Sequence, residues 1–244
     1  MSPASIKPSL QQFAAGANRT RPRHLGTRYD WEGRFLLEPG NTVVCHVVPD
    51  TATERALVAM RERLVAMPDA GSLAFTPAAS LHMTLFQGII EYRRHWPYWP
   101  QDQLASTSID VMTRLYRERL ANFRPPAPFR VHAVDVAPAE VVVEGATPED
   151  RDLLGAWRDA LAEVFGYRHP DHERYRFHIT LSYPVEWLAD GRLEAWQSVL
   201  DESLALLQRE APVLELRPPA FCSFNDMEHF EELLVLENKA ALQA

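Results

Sequence analysis

Apolar and polar positions along this chain follow two rhythms, one of period two in short β-branched runs and one of threes and fours between them. After the turn signal Pro39-Gly40-Asn41, residues 42–48 read as a strand. Ala56, Leu57, Met60, Leu64 and Met67 then mark a helix over 53–67. Residues 81–90 form the next candidate strand, and 108–123 an amphipathic helix with Asp110 near its start. Strands over 129–136 and 141–144 flank the Ala137-Pro138 turn, and Thr147 caps a helix running from Pro148 to about Phe165. A strand over 177–183 and a helix over 193–209 follow, and three short strands, 212–216, 220–224 and 233–237, close the chain.

Strands and helices therefore pass twice through one order, with an offset of about 96 residues. Two passes are too few for a solenoid and fit two related α+β lobes that face one another. Neither G-x-G-x-x-G nor G-x-x-x-x-G-K-[ST] occurs, which removes the two common Gly-rich phosphate loops.

Composition narrows the class. With 244 residues and 46% of them apolar, the chain has the make-up of a globular domain. No apolar run approaches the roughly 18 residues of a membrane span and no signal peptide opens the chain, so a soluble, cytoplasmic protein is expected, with no membrane partner. The formal net charge of −8 is unevenly spread. Lys7, Arg19, Arg21, Arg23 and Arg28 meet no acid before residue 29, leaving the remainder at −13. An acidic body disfavours long nucleic acid as a ligand. Residues 1–40 are expected to be a basic, partly disordered extension, and 41–244 a single bilobal domain. Cys45 and Cys222 sit in apolar surroundings and read as reduced core thiols.

The chemistry lies in a repeated pattern, Leu81-His82-Met83-Thr84-Leu85 and Phe177-His178-Ile179-Thr180-Leu181. At this composition one such pattern is expected roughly 0.1 times by chance. Alternation along a strand puts His82 with Thr84, and His178 with Thr180, on the face opposite the apolar residues. Two such strands side by side make a phosphoester site that needs no metal or other cofactor. One imidazole removes a proton from water or a ribose hydroxyl while the other protonates the departing oxygen. The threonine hydroxyls donate to the non-bridging phosphoryl oxygens.

These paired motifs resemble those of the two-histidine (2H) phosphoesterase superfamily, which includes 2′,3′-cyclic nucleotide phosphodiesterases and bacterial RNA 2′,5′ ligases. The resemblance runs from Thr42 to the C-terminus, leaves the head outside, and suggests an uncharacterised bacterial-type branch. It implies an α+β bilobal fold in which two pseudo-twofold-related, antiparallel-rich sheets line a central cleft with helices outside. It also implies His82 and His178 as catalytic acid and base, Thr84 and Thr180 as phosphate-binding residues, and hydrolysis of a small cyclic phosphodiester. A binding module for nucleotides or phosphometabolites, and a 2′,5′ ligase or phosphodiesterase acting on RNA ends, are the alternatives.

Four further residues have two readings each. Arg176, two before His178, either contacts phosphate or is a solvated strand end. Phe86 and Ser182, two beyond each threonine, either extend the substrate face or belong to the core. His46 either looks into the cleft from a central strand or is a hydrogen-bonded core histidine. His169-Pro170-Asp171-His172 has the residue types of a metal site, but the proline breaks the helix that would align the ligands, so the loop is expected to border the cleft. Residues 92–99, rich in Arg, His, Trp and Tyr, read as a base-and-phosphate rim or as a packed aromatic loop.

Overall fold

The computed structural model describes residues 5–237. The strands are β1 (Gly40–His46), β2 (Leu73–Phe75), β3 (His82–Ile90), β4 (Val131–Ala137), β5 (Glu140–Gly145), β6 (His178–Thr180), β7 (Ser182–Pro184), β8 (Ala220–Phe224) and β9 (Glu231–Val235). The α-helices are α1 (Pro8–Gln11), α2 (Ala52–Val65), α3 (Ile109–Leu120), α4 (Pro148–Phe165) and α5 (Leu193–Glu210). No helix among the described residues is long and apolar enough to cross a membrane.

Local chemistry sets the helix ends. Thr51 and Thr147, 96 residues apart, both stand at N-caps, and their hydroxyls accept from the backbone N–H of Glu54 and Asp150. Pro148 opens α4 with its φ already helical, and Gly166, at φ 78°, ends it in the left-handed region that a side chain disfavours. The 212–216 segment, expected as a strand, makes only isolated bridges, Leu214 to Val131 and Leu216 to Val47. Two prolines, Pro218 and Pro219, follow it and stop it from joining the ladder.

The strands are antiparallel throughout and form an α+β fold. Seven lie in one sheet in the order β4-β5-β6-β3-β1-β8-β9, and β2 pairs with β7 in a second, two-stranded sheet. The two principal sheets expected from the repeat are thus hydrogen-bonded into one. The join is a single residue pair, Met83 with Ile179. The strand expected over 177–183 breaks at Leu181, whose N–H donates to the Ala139 carbonyl, and beyond it the chain turns to pair with β2.

One face of the large sheet carries the main core, where Met83, Leu85, Phe86 and Ile179 pack with Met60, Tyr116, Trp157, Phe165 and Leu200 of the helices. On the other face Val44, Ile90, Cys222, Phe224, Met227 and Phe230 make a smaller cluster. Cys45 and Cys222 are free and buried, and burial pushes the Cys222 thiol up to about 12.

The head differs from expectation. Residues 5–39, expected as an extension apart from the domain, pack on it, with Leu10, Phe13 and Tyr29 buried. Leu10, Phe13 and Ala14 are spaced at threes and fours, an apolar stripe that offsets the cost of ordering the segment. Charge helps too: Lys7 Nζ lies 3.0 Å from Asp135 and 3.1 Å from Asp201, and Arg28 pairs with buried Glu38 at 2.6 Å. Residues 1–4 of that expected extension lie outside the described residues. Replacing Leu10 by Ala should lower stability by about 2–5 kcal/mol, as for other fully buried leucines. Urea unfolding checks this, and a loss below about 0.5 kcal/mol would show the head to be loosely attached.

Candidate active site

The Met83–Ile179 pair fixes the site. In an antiparallel ladder the next positions on either side set His82 beside Thr180 and Thr84 beside His178. Met83 and Ile179 are fully buried toward the helices, so alternation turns all four polar residues to the opposite face. There they line one cavity of about 260 Å³.

Both histidines are held in the same way. The carbonyl of Ser80 lies 2.7 Å from Nδ1 of His82, and that of Arg176 lies 2.9 Å from Nδ1 of His178. A carbonyl only accepts, so each Nδ1 carries hydrogen and each neutral ring keeps its Nε2 lone pair free. The Thr84 and Thr180 hydroxyls make no hydrogen bond among the described residues and stand available to a ligand. Burial pushes the His82 pKa down to about 3, with the neighbouring His46 and His178 adding to the shift and the Ser80 carbonyl opposing it. Phe230 packs its ring 4.2 Å from that of His82. His178 instead has a carboxylate nearby, Glu140 Oε2 at 3.7 Å from Nδ1.

The weaker candidates separate. His46 pairs directly with His82 across β1 and β3, their rings 5.8 Å apart, and its Nδ1 meets Glu232 at 3.0 Å. It shares the sheet face of His82 but is not among the residues that line the cavity. Phe86 is fully buried among Phe165, Tyr167 and His169 and does not extend the substrate face. The cause is a bulge: Val44 pairs with Thr84 but Val43 with Phe86, so β3 has an extra residue there and its alternation flips. Gln87 takes the cavity position that simple alternation gives to Phe86. Ser182 is also turned away from the main cavity, buried, its hydroxyl donating to the Pro138 carbonyl at 2.9 Å. Arg176 is ion-paired with Glu140 and lines an adjoining cavity of about 530 Å³ that reaches His178 and Thr180.

Sequence reasoning missed several wall residues. Arg28 and His24 come from the head, and Gln87, Tyr183 and Phe230 complete the lining. The apolar stripe of the head was the available signal for the first two, whereas a bulge leaves no comparable mark. Gly88 also has a structural duty, because a Cβ there would overlap the side chain and backbone of Asn41 on β1. The 169–172 loop is held by ion pairs: Nε2 of His172 lies 3.0 Å from Asp159, and the Arg168 guanidinium joins Asp159 to Glu173. A cation already bridges the carboxylates of that cluster.

His24, His82 and His169 are each pushed to about 3, with burial the leading cause. The folded protein keeps them neutral, while the unfolded chain binds their protons near pH 6.5, so stability must fall as pH drops below about 6.5. Each contributes a slope of at most about 1.4 kcal/mol per pH unit. Denaturant unfolding at about pH 7 and about pH 5.5 should show the acidic sample less stable, and equal stability would contradict neutral burial.

Residues 28–142 match the family model 2H-phosphodiest, described as a domain of unknown function (DUF1868). That span includes Arg28 and the first His-x-Thr strand. The crystal structure of a conserved protein of unknown function from Agrobacterium tumefaciens superposes with a TM-score of 0.94. It is 50% identical, over 95% of this chain and 100% of that one. Among curated proteins, none matches. The chain is therefore similar to the 2H-phosphodiest family over residues 28–142 and belongs with the Agrobacterium protein over nearly its whole length.

Proposed function

We propose that this protein hydrolyses a small cyclic phosphodiester, such as a nucleoside 2′,3′-cyclic phosphate, by in-line attack of water between His82 and His178. The observation that carries this reading is the pairing of two His-x-Thr strands on one cavity, each ring fixed through Nδ1 so that its Nε2 is free. His82 is the base: its burial keeps it neutral, and its Nε2 takes a proton from water as the new O–P bond forms. His178 is the acid, giving its Nε2 proton to the ribose oxygen as the old P–O bond breaks, with Glu140 as counter-charge for the imidazolium. The product is a phosphomonoester with a free vicinal hydroxyl, and proton exchange with solvent resets the pair. Thr84 and Thr180 donate to the non-bridging oxygens. The cavity wall carries no carboxylate among the described residues, so the donors around the phosphate are hydroxyls, imidazoles and the Arg28 guanidinium. On this reading the two lobes are twofold-related halves meeting at Met83 and Ile179.

Replacing either histidine by Ala should lower kcat at least about 10²-fold with the fold intact, in assays containing EDTA. Thr84→Val or Thr180→Val should cost about 10- to 150-fold in kcat/KM, the scale of a hydrogen bond to a charged group. Full turnover in both histidine variants, measured on a panel of cyclic nucleotides, would sink the assignment.

The pH profile tests which ring is the base. Because His82 stays neutral down to about pH 3, kcat/KM should show no base limb near pH 6.5 and should hold on the acid side until the protein itself loses stability. An acid limb centred near pH 6.5 would transfer the base role to another group.

A further inference from the structure

Beside the reaction cavity lies a second chamber of about 300 Å³, built where three distant segments meet. The head supplies Arg23, His24 and Arg28, the aromatic loop supplies Arg93 and Tyr98, and the loop before β6 supplies His169 and Asp171. His24, Arg28 and Gln87 line both cavities, so the two are contiguous. We propose that this chamber binds a second phosphate group of the substrate, so that the enzyme selects cyclic phosphodiesters carrying another phosphate at the far end of the molecule.

Three guanidinium groups face a chamber with little to balance them. Glu38 pairs with Arg28, and Asp171 is an exposed carboxylate at the rim. Arg93 donates from Nη1 to Gln87 Oε1 at 3.2 Å and lies 4.9 Å above the Tyr98 ring, while its buried Nη2 has no partner among the described residues. His169 is 5% exposed, and its Nε2 is likewise buried without a partner among those residues. Leaving such groups unpaired is costly, and an anion held in the chamber that Arg93 and His169 line would offer them partners. Burial, then the nearby Arg28, lowers the Arg93 pKa, consistent with cations gathered and not neutralised. A guanidinium fork suits phosphate oxygens, and the acidic body makes a local cationic chamber the stronger selector. The aromatic rim and the loop before β6, both suspected from sequence of bordering the cleft, acquire one shared role.

The inference rests on the reaction assigned above only for the word substrate, and a binding measurement separates the two. Calorimetry would compare a nucleoside 3′,5′-bisphosphate with the matching 3′-monophosphate. In the wild type the second phosphate should tighten binding at least about tenfold, the scale of one charge-assisted contact. In Arg93→Gln the advantage should shrink to about threefold or less, with the monophosphate affinity unchanged, and Arg93→Lys should restore part of it. A parallel assay would compare 2′,3′-cyclic nucleotides with and without a 5′-phosphate, expecting a similar ratio in kcat/KM. Equal affinities in the wild type, or an advantage that survives Arg93→Gln, would overturn the proposal whether or not the cyclic substrates turn over. An Arg93-dependent advantage with no turnover would uphold the chamber and refute the catalytic reading instead.

Discussion

One backbone pairing governs this protein. Among the described residues, Met83 and Ile179 are the one pair through which the ladder of β3 meets that of β6, and their burial turns His82, Thr84, His178 and Thr180 to the opposite side. A slip of one residue would send all four into the core, because the side-chain period of a strand is two. So short a contact cannot hold register alone. Its outer neighbours do so: β1 pairs along β3 from His46 to Gly40, and β5 holds all three residues of β6. The helices then cover the apolar face, and the polar face stays open as a cleft.

Electrostatics refine what the ladder places. The body is acidic, yet cations from the head are brought to the cleft by apolar docking of Leu10 and Phe13 and by the buried Arg28–Glu38 pair. The histidines differ because their surroundings do. His82 lies against Phe230 and near His46, whereas His178 has Glu140 within reach. Two copies of one motif thereby stand in unlike surroundings.

Much of this was legible in the sequence because it is written in local rules. The capping threonines, Pro148, and the alternation of His82 with Met83 and of His178 with Ile179 act through neighbours a few residues away, and the structure has them where periodicity predicts. The α+β class and the common face of each His-x-Thr pair follow from the same short-range constraints. The role of Phe86 was not legible: a single extra residue in β3 reverses its side, and bulges depend on the partner strand. Nor was the burial of Ser182, which follows from the departure of β7 to a different sheet.

The sequence by itself therefore determined most of the elements, the repeated motif and the common face of each His-x-Thr pair, since each rests on side-chain type and periodicity. Only the tertiary structure decided that the two halves join in one sheet through a single pair, that the basic head lines the cleft, and that His24, Arg93 and His169 come to one chamber. These are contacts between segments separated by tens to hundreds of residues. They depend on the packing of the whole chain: a local pattern such as the apolar stripe of the head marks a segment that docks, but not where it docks.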